Sequence, residues 1–133
     1  MKQLTVSSDM AELDKIRAFL KETLKKLTIS EDTYFQIELA LHEICVNIIR
    51  YAYPKEKGDI IIRVWTNKKK VFLEVKDSGF PFDPHTAEKP QVERMIKENL
   101  KGGMGIHLSR QLMDEFTYKR DGNHNVLLMV KHL

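Results

Sequence analysis

Apolar residues recur along the chain in two periods, and the switches between those periods mark out its elements. Leu4 and Val6 alternate with polar neighbours, as in a short strand. Leu13, Ile16, Phe19, Leu20, Leu24 and Leu27 then recur at helical spacing, leaving Lys15, Lys21, Glu22, Lys25 and Lys26 for solvent. Asp9 and Glu12 stand as a capping box before this stretch, so a helix is expected to open there and run to about Leu27. Ser30 caps a second predicted helix, SEDTYFQIELALHEICVNIIRYAYP, which Pro54 stops.

Period two returns from Asp59 to Thr66. It appears again where Val71, Leu73 and Val75 alternate with Phe72, Glu74 and Lys76, and the intervening NKKK predicts an antiparallel hairpin. The loop DSGFPFDP then ends the ladder, because Pro81 and Pro84 lack a backbone donor. HTAEKPQVERMIKENLKGGMG follows as a long polar connection with a weak helical stretch near Gln91 to Leu100. In so small a domain such a length predicts a functional lid. GIHLSRQLMDEF reads as a third helix, and FTYKRDGNHNVLLMVKHL as a closing hairpin turning at Asp121 to His124. The predicted fold is an α/β two-layer sandwich, a mainly antiparallel mixed sheet with three helices on one face.

Composition narrows the setting. The 133 residues predict one domain, and 42% hydrophobic with 31% charged residues is the balance of a globular chain. No apolar stretch approaches the roughly 20 residues of a membrane span, and MKQLTVSSDMAELDK has no signal-peptide core, so a cytoplasmic protein without membrane contact is expected. Cys45 is the single cysteine and lies in an apolar helical run, which excludes an internal disulfide and a cysteine metal cluster. The formal charge is +3, and Lys68, Lys69 and Lys70 fall at a predicted turn without aromatic or helical recognition residues, so no direct nucleic-acid contact is expected.

Three constellations carry candidate chemistry. Glu43 and Asn47 stand four residues apart and share one face of a helix that is apolar nearly everywhere else. Both a water-facing edge and a cleft fit this pair. In a cleft, Glu43 would accept a proton and Asn47 would offer its amide oxygen to a hard cation. In the DSGFPFDP loop, Asp77 at a strand end suits an exocyclic amine and Gly79 admits a flat ring, although a tight turn fits these residues too. In KGGMGIHL, Gly102, Gly103 and Gly105 open a helix whose unpaired amides suit phosphate; the stretch lacks the Gly-Lys-Ser/Thr ending of a P-loop.

Acid and amide on one helix, Asp-x-Gly after a strand, a lid, and Gly-x-Gly at a helix start: in this order the motifs resemble the N, G1 and G2 boxes of the GHKL ATPases. ELALHEICVNIIRYAYP, DSGFPFDP and GGMGIHLSRQLMDEFTYKRDGNHNVLLMVK are most similar to the bacterial anti-sigma-factor serine/threonine kinases, over nearly the whole chain. The resemblance implies a single histidine-kinase-like ATPase domain of the Bergerat fold over residues 1–133, with an ATP lid at about 84–101. It makes Glu43 the general base and Asn47 the ligand holding Mg²⁺ against the phosphates of ATP. Asp77 would bind the adenine amino group and Gly79 would lie close to the base. Gly103, Met104 and Gly105 would cradle phosphate through their amides, and Asn125 would help hold the adenine side. Lys101 is assigned to the phosphates from charge and place alone.

The same resemblance implies phosphorylation of a small anti-sigma-factor antagonist protein, sequestration of a sigma factor, and a homodimer. A nucleotide-gated interaction module that binds ATP without phosphoryl transfer is the alternative, and the presence of Glu43 favours the enzyme. Arg50 stands where relatives often have histidine, and both a solvated arginine and an added phosphate or partner contact fit it.

Overall fold

The computed structural model describes residues 1–53, 55–81 and 101–133, with side chains for all of these except 101–105. Its elements are β1 (Lys2–Ser7), α1 (Leu13–Leu24), α2 (Glu31–Tyr51), β2 (Asp59–Thr66), β3 (Lys70–Asp77), α3 (Lys101–Leu112), β4 (Glu115–Asp121) and β5 (His124–His132). The helical stretch near Gln91 to Leu100 and the stop at Pro54 lie outside the described residues.

Element ends differ from the sequence pattern where side chains compete for the backbone. The Asp9 carboxylate accepts from Ala11 N at 2.9 Å, two residues on, and caps a single 3-10 turn, Met10–Glu12, before α1 begins at Leu13. Glu12 does not fold back as a capping box requires; its carboxylate pairs with Lys15 at 3.2 Å. α1 stops at Leu24, where Leu27 N donates to Leu24 O at 3.0 Å, and Leu27 still packs on the core. At Ser30 the expected cap forms, its Oγ accepting from Thr33 N at 3.1 Å. α3 ends at Leu112, short of Phe116, because Asp114 N donates to Val130 O at 2.9 Å and hands the chain to the sheet. Phe116 therefore belongs to β4.

The sheet runs β1-β2-β3-β5-β4, and every pairing among the described residues is antiparallel. The closing hairpin turns through Gly122, whose φ of 60° is a backbone state that glycine adopts without strain. It inserts β5 between β3 and the edge strand β4.

Alternation decides which face is covered. Ile60, Ile62 and Val64 of β2, with Val71, Leu73 and Val75 of β3, are buried in one cluster with Ile16, Leu20, Ile37, Leu41 and Ile44 of the helices. Each such side chain contributes about 1.5–3 kcal/mol on burial. The other face carries the Arg63–Glu74 pair at 3.3 Å and the Trp65–Phe72 stack, with ring centroids 5.3 Å apart. Cys45 is fully buried as a small core residue, as expected. No helix among the described residues is long and apolar enough to cross a membrane. One residue breaks the apolar character of the inward row of β3: Asp77, in line with Val71, Leu73 and Val75.

Candidate functional site

Period two turns Asp77 inward at the end of β3, and strand register surrounds it. Asp77 is paired with Asn125 of β5, and Asn125 with Arg120 of β4, so the three form one rung across three strands. Asp77 is 5% and Asn125 7% exposed, so their polar atoms need partners. Asp77 Oδ1 accepts from Gly79 N at 2.8 Å and from Asn125 Nδ2 at 3.0 Å. The other hydrogen of Asn125 Nδ2 goes to Phe80 O at 2.7 Å. Asn125 Oδ1 accepts from Tyr118 Oη at 2.6 Å and from Arg120 Nη1 at 3.1 Å. The Asn125 amide is thus saturated, which fixes its orientation and directs its influence through Asp77. On Asp77 one oxygen is engaged and the second has no bond among the described residues.

Burial raises the Asp77 pKa above its usual value, and the hydrogen bonds from Asn125 and Gly79 oppose the shift, as do the nearby charges of Arg120 and His124. The carboxylate is therefore held in a poorly hydrated place by donors aimed at one of its oxygens.

The loop after β3 is fastened to the end of α2. Phe80 N donates to Ala52 O at 3.1 Å, and a Cβ on Gly79 would lie 2.4 Å from that same carbonyl oxygen. The requirement for glycine at this position comes from contact with the helix end, a reason the sequence pattern did not carry. Tyr53 supports the loop from its other side: its hydroxyl accepts from Ser78 N at 2.6 Å and donates to Asp59 O at 2.8 Å.

Beside this rung lies a cavity of about 120 Å³. Its apolar walls come from Ile44 and Ile48 of α2, Val75, Ile106 of α3, Phe116 and Leu127; its polar wall is Asn47, Asp77, Tyr118 and Asn125. An apolar slot with a few fixed polar groups at one end suits a flat heteroaromatic ring carrying an amine. Asn47, Asp77 and Asn125, expected to share a site, are brought together here. Glu43 lies one turn earlier on α2, half-buried, and is not a wall of this cavity. Among the described residues, neither Glu43 nor Asn47 has a side-chain hydrogen bond. Lys101, Gly103, Met104 and Gly105 lie within α3, and their side chains lie outside the described residues. α3 is fixed against α2 by the buried Ser109, whose Oγ donates to Ala40 O at 2.9 Å. Of the lid expected at about 84–101, all but Lys101 lies outside the described residues. Among the described residues, no group of His, Cys, Asp or Glu is clustered for a metal ion.

Sequence reasoning missed Arg120, Tyr118, Ala52 and Tyr53. A two-residue turn at Gly122 and Asn123 already places Arg120 opposite Asn125, and that signal was available.

The family model of the histidine kinase-like ATPase domain matches residues 6–131. The chain belongs to this family. Its curated relatives include the serine-protein kinase RsbW of Bacillus licheniformis, 28% identical over 116 residues, covering 84% of this chain and 72% of that protein. The serine/threonine-protein kinase BtrW of Bordetella bronchiseptica is also 28% identical, over 99 residues, covering 74% of this chain and 70% of that one. Among solved structures, the histidine kinase AdeS of Acinetobacter baumannii superposes over 99% of this chain and 68% of its own, with a TM-score of 0.51 at 12% identity, a likeness of fold. Membership of a histidine kinase-like ATPase domain family implies that the chain binds ATP.

Proposed function

We propose that the protein is an ATP-dependent serine/threonine kinase acting on a small anti-sigma-factor antagonist in the cytoplasm, that it also binds and sequesters a sigma factor, and that it works as a homodimer. The observation that carries the nucleotide part is the buried Asp77 carboxylate, with Oδ1 engaged by Gly79 and Asn125 and its second oxygen left for an adenine amine at the mouth of an apolar slot. The kinase part is supported by relatives whose names are serine- or serine/threonine-protein kinase.

In this reading, the base enters the slot between Ile48, Val75 and Leu127, and its amine donates to Asp77. The phosphates lie toward the N-terminal part of α3, which carries Gly103, Met104, Gly105 and the positive charge of Lys101. In the helical form the Gly105 amide is directed to Lys101 O, so the glycines must open this turn for their amides to donate to phosphate. Asn47 lines the slot with its amide uncommitted among the described residues, so the donor set fits Mg²⁺, which commonly takes one or two protein oxygens and fills its shell from phosphate and water. Bound there, the ion would neutralise charge on the phosphates. Glu43, one turn away and without a competing hydrogen bond among the described residues, takes the proton of the attacking hydroxyl as the γ-phosphoryl group leaves ADP for the acceptor oxygen. Positioning and charge neutralisation carry most of the acceleration, as in other phosphoryl transfers.

The test is affinity capture of partners from the native cell with and without ATP, followed by incubation of the captured proteins with γ-labelled ATP. Label on a serine or threonine of a captured protein is expected. Label released solely as free phosphate would support hydrolysis, and ATP-dependent capture with no transfer would support a nucleotide-gated binding module.

A further inference from the structure

One tie on the loop after β3 comes from a charged residue that is not among the walls of the slot. Arg120 stands on β4, opposite Asn125, and 41 positions from Gly79 in sequence. Its Nη1 donates both to Gly79 O at 2.9 Å and to Asn125 Oδ1 at 3.1 Å, and its Nε donates to Gly122 O at 3.2 Å. One guanidinium therefore joins the turn of the closing hairpin, the saturated amide and the loop that carries the Asp-x-Gly motif. Arg120 lines an open groove with Tyr53, Lys55 and Ser78 that shares Phe80 and Pro81 with the slot, and it is absent from the slot's own walls.

We propose that Arg120 is a positioning residue for purine recognition: by gripping Gly79 O and Asn125 Oδ1 together, it sets the distance between loop and rung and so aims the free oxygen of Asp77 at the exocyclic amine. The geometry needs an arginine. Nη1 serves Gly79 O and Asn125 Oδ1 while Nε, on the same rigid plane, is anchored by Gly122 O, whereas a lysine is a point donor on a flexible stem without that second anchor. The groups arranged around Asp77 suit this role. Tyr118 holds Asn125 from the cavity side, while Gly79 N to Asp77 and Asn125 Nδ2 to Phe80 O tie the loop to the rung, and Arg120 adds the one tie that reaches the loop from β4. Loss of that link leaves Asn125 bonded to Asp77 and Tyr118 but frees Gly79 O, and the loop is then held to β5 through Phe80 O alone.

This proposal rests on the reading of the slot as an adenine site, and the experiment separates the two. Binding of ATP and of inosine triphosphate, which carries an oxygen where ATP has the amine, is titrated on the parent protein, on Arg120→Gln and on Arg120→Lys, with melting temperatures measured alongside. The parent is expected to prefer ATP. Arg120→Gln should weaken ATP about tenfold, in line with the loss of charge-assisted hydrogen bonds, while barely changing inosine triphosphate, so that the preference collapses even where the melting temperature falls. Arg120→Lys should recover part of the preference. Retained ATP affinity and preference in Arg120→Gln would overturn the proposal. Equal weakening of both nucleotides with a lowered melting temperature would do the same, because that is general loosening. A parent that binds neither nucleotide removes the adenine site itself and this proposal with it.

Discussion

Asp77 and Asn125 face each other across neighbouring strands, 48 residues apart in sequence, and share a hydrogen bond from Nδ2 to Oδ1 at 3.0 Å. Because all four bonding positions of the Asn125 amide are filled, removing it disturbs several buried groups together. Asn125→Ala leaves Tyr118 and Arg120 without this acceptor and takes one donor from Asp77. It is expected to destabilise the fold by about 1–3 kcal/mol and to weaken ATP binding about tenfold. Thermal melting and calorimetric titration on the same preparation check both; unchanged ATP affinity would show that Asp77 is aimed without this amide.

Asp77→Asn should separate stability from binding. Burial holds the carboxyl above its ordinary value near 3.8, so the folded chain binds that proton more tightly than the unfolded chain does. The contribution favours folding below the usual carboxylate range and is lost as pH rises through the raised value, leaving an ionised group that opposes folding at neutral pH. The asparagine variant is therefore expected to melt higher than the parent at pH 7, and the difference should shrink as the solution is acidified. Its oxygen stays with Gly79 N and Asn125 Nδ2, which turns an NH₂ toward the incoming amine, and ATP affinity should fall by about ten- to a hundredfold. A pH series of melting curves with nucleotide titrations is the measurement, and a variant that melts below the parent at every pH would contradict the sign.

Gly79→Ala places a Cβ 2.4 Å from Ala52 O and 2.5 Å from Ala52 Cβ. The loop must shift, at a cost of about 1–3 kcal/mol. Pairing the change with Ala52→Gly removes the methyl contact but leaves the carbonyl, so the double variant should recover little. Full recovery of melting temperature and ATP affinity would show that the side chain, and not the helix-end backbone, sets the requirement.

Glu43→Gln tests the chemical step. Loss of a general base lowers transfer by about 10²–10⁴-fold, and ATP affinity should stay within about twofold because Glu43 is not a wall of the slot. Rapid-quench transfer to the ATP-captured acceptor protein reports the first quantity and equilibrium titration the second. Transfer at the parent rate would remove Glu43 from that role.

Cys45 gives an independent check on the helix layer. Its thiol is fully buried and pushed up to about 12, so almost no thiolate exists at pH 8 and alkylation should wait for unfolding. The labelling rate should rise with denaturant in step with loss of helix signal; rapid labelling of the native protein would contradict the packing of α2.

Much of this is legible in the sequence, and for physical reasons. The inward rows of β2 and β3, the apolar stripe of α1 and the Ser30 cap are local patterns that packing did not override. Asp9 and Phe116 show the boundary of that legibility. A carboxylate near a helix start has a choice of backbone amides, and a phenylalanine after a helix has a choice between one more turn and a strand. In the site, the spacing of Glu43 and Asn47 and the inward turn of Asp77 follow from periodicity. The fixing of the loop by Ala52, Tyr53 and Arg120 does not, because those partners lie 25 to 41 residues from the loop positions they bond or, for Ala52, at the far end of another element.

Contact between Gly79 and Ala52 has a consequence for how such a site can change. The loop proposed to recognise the base is mounted on the end of the helix that carries Asn47 and Glu43, so a loop transplanted from a relative would arrive with the wrong mounting unless residues 52 and 53 travelled with it. On the proposed reading of the slot, altering which base it accepts is then a matter of exchanging a helix end and a loop as one unit.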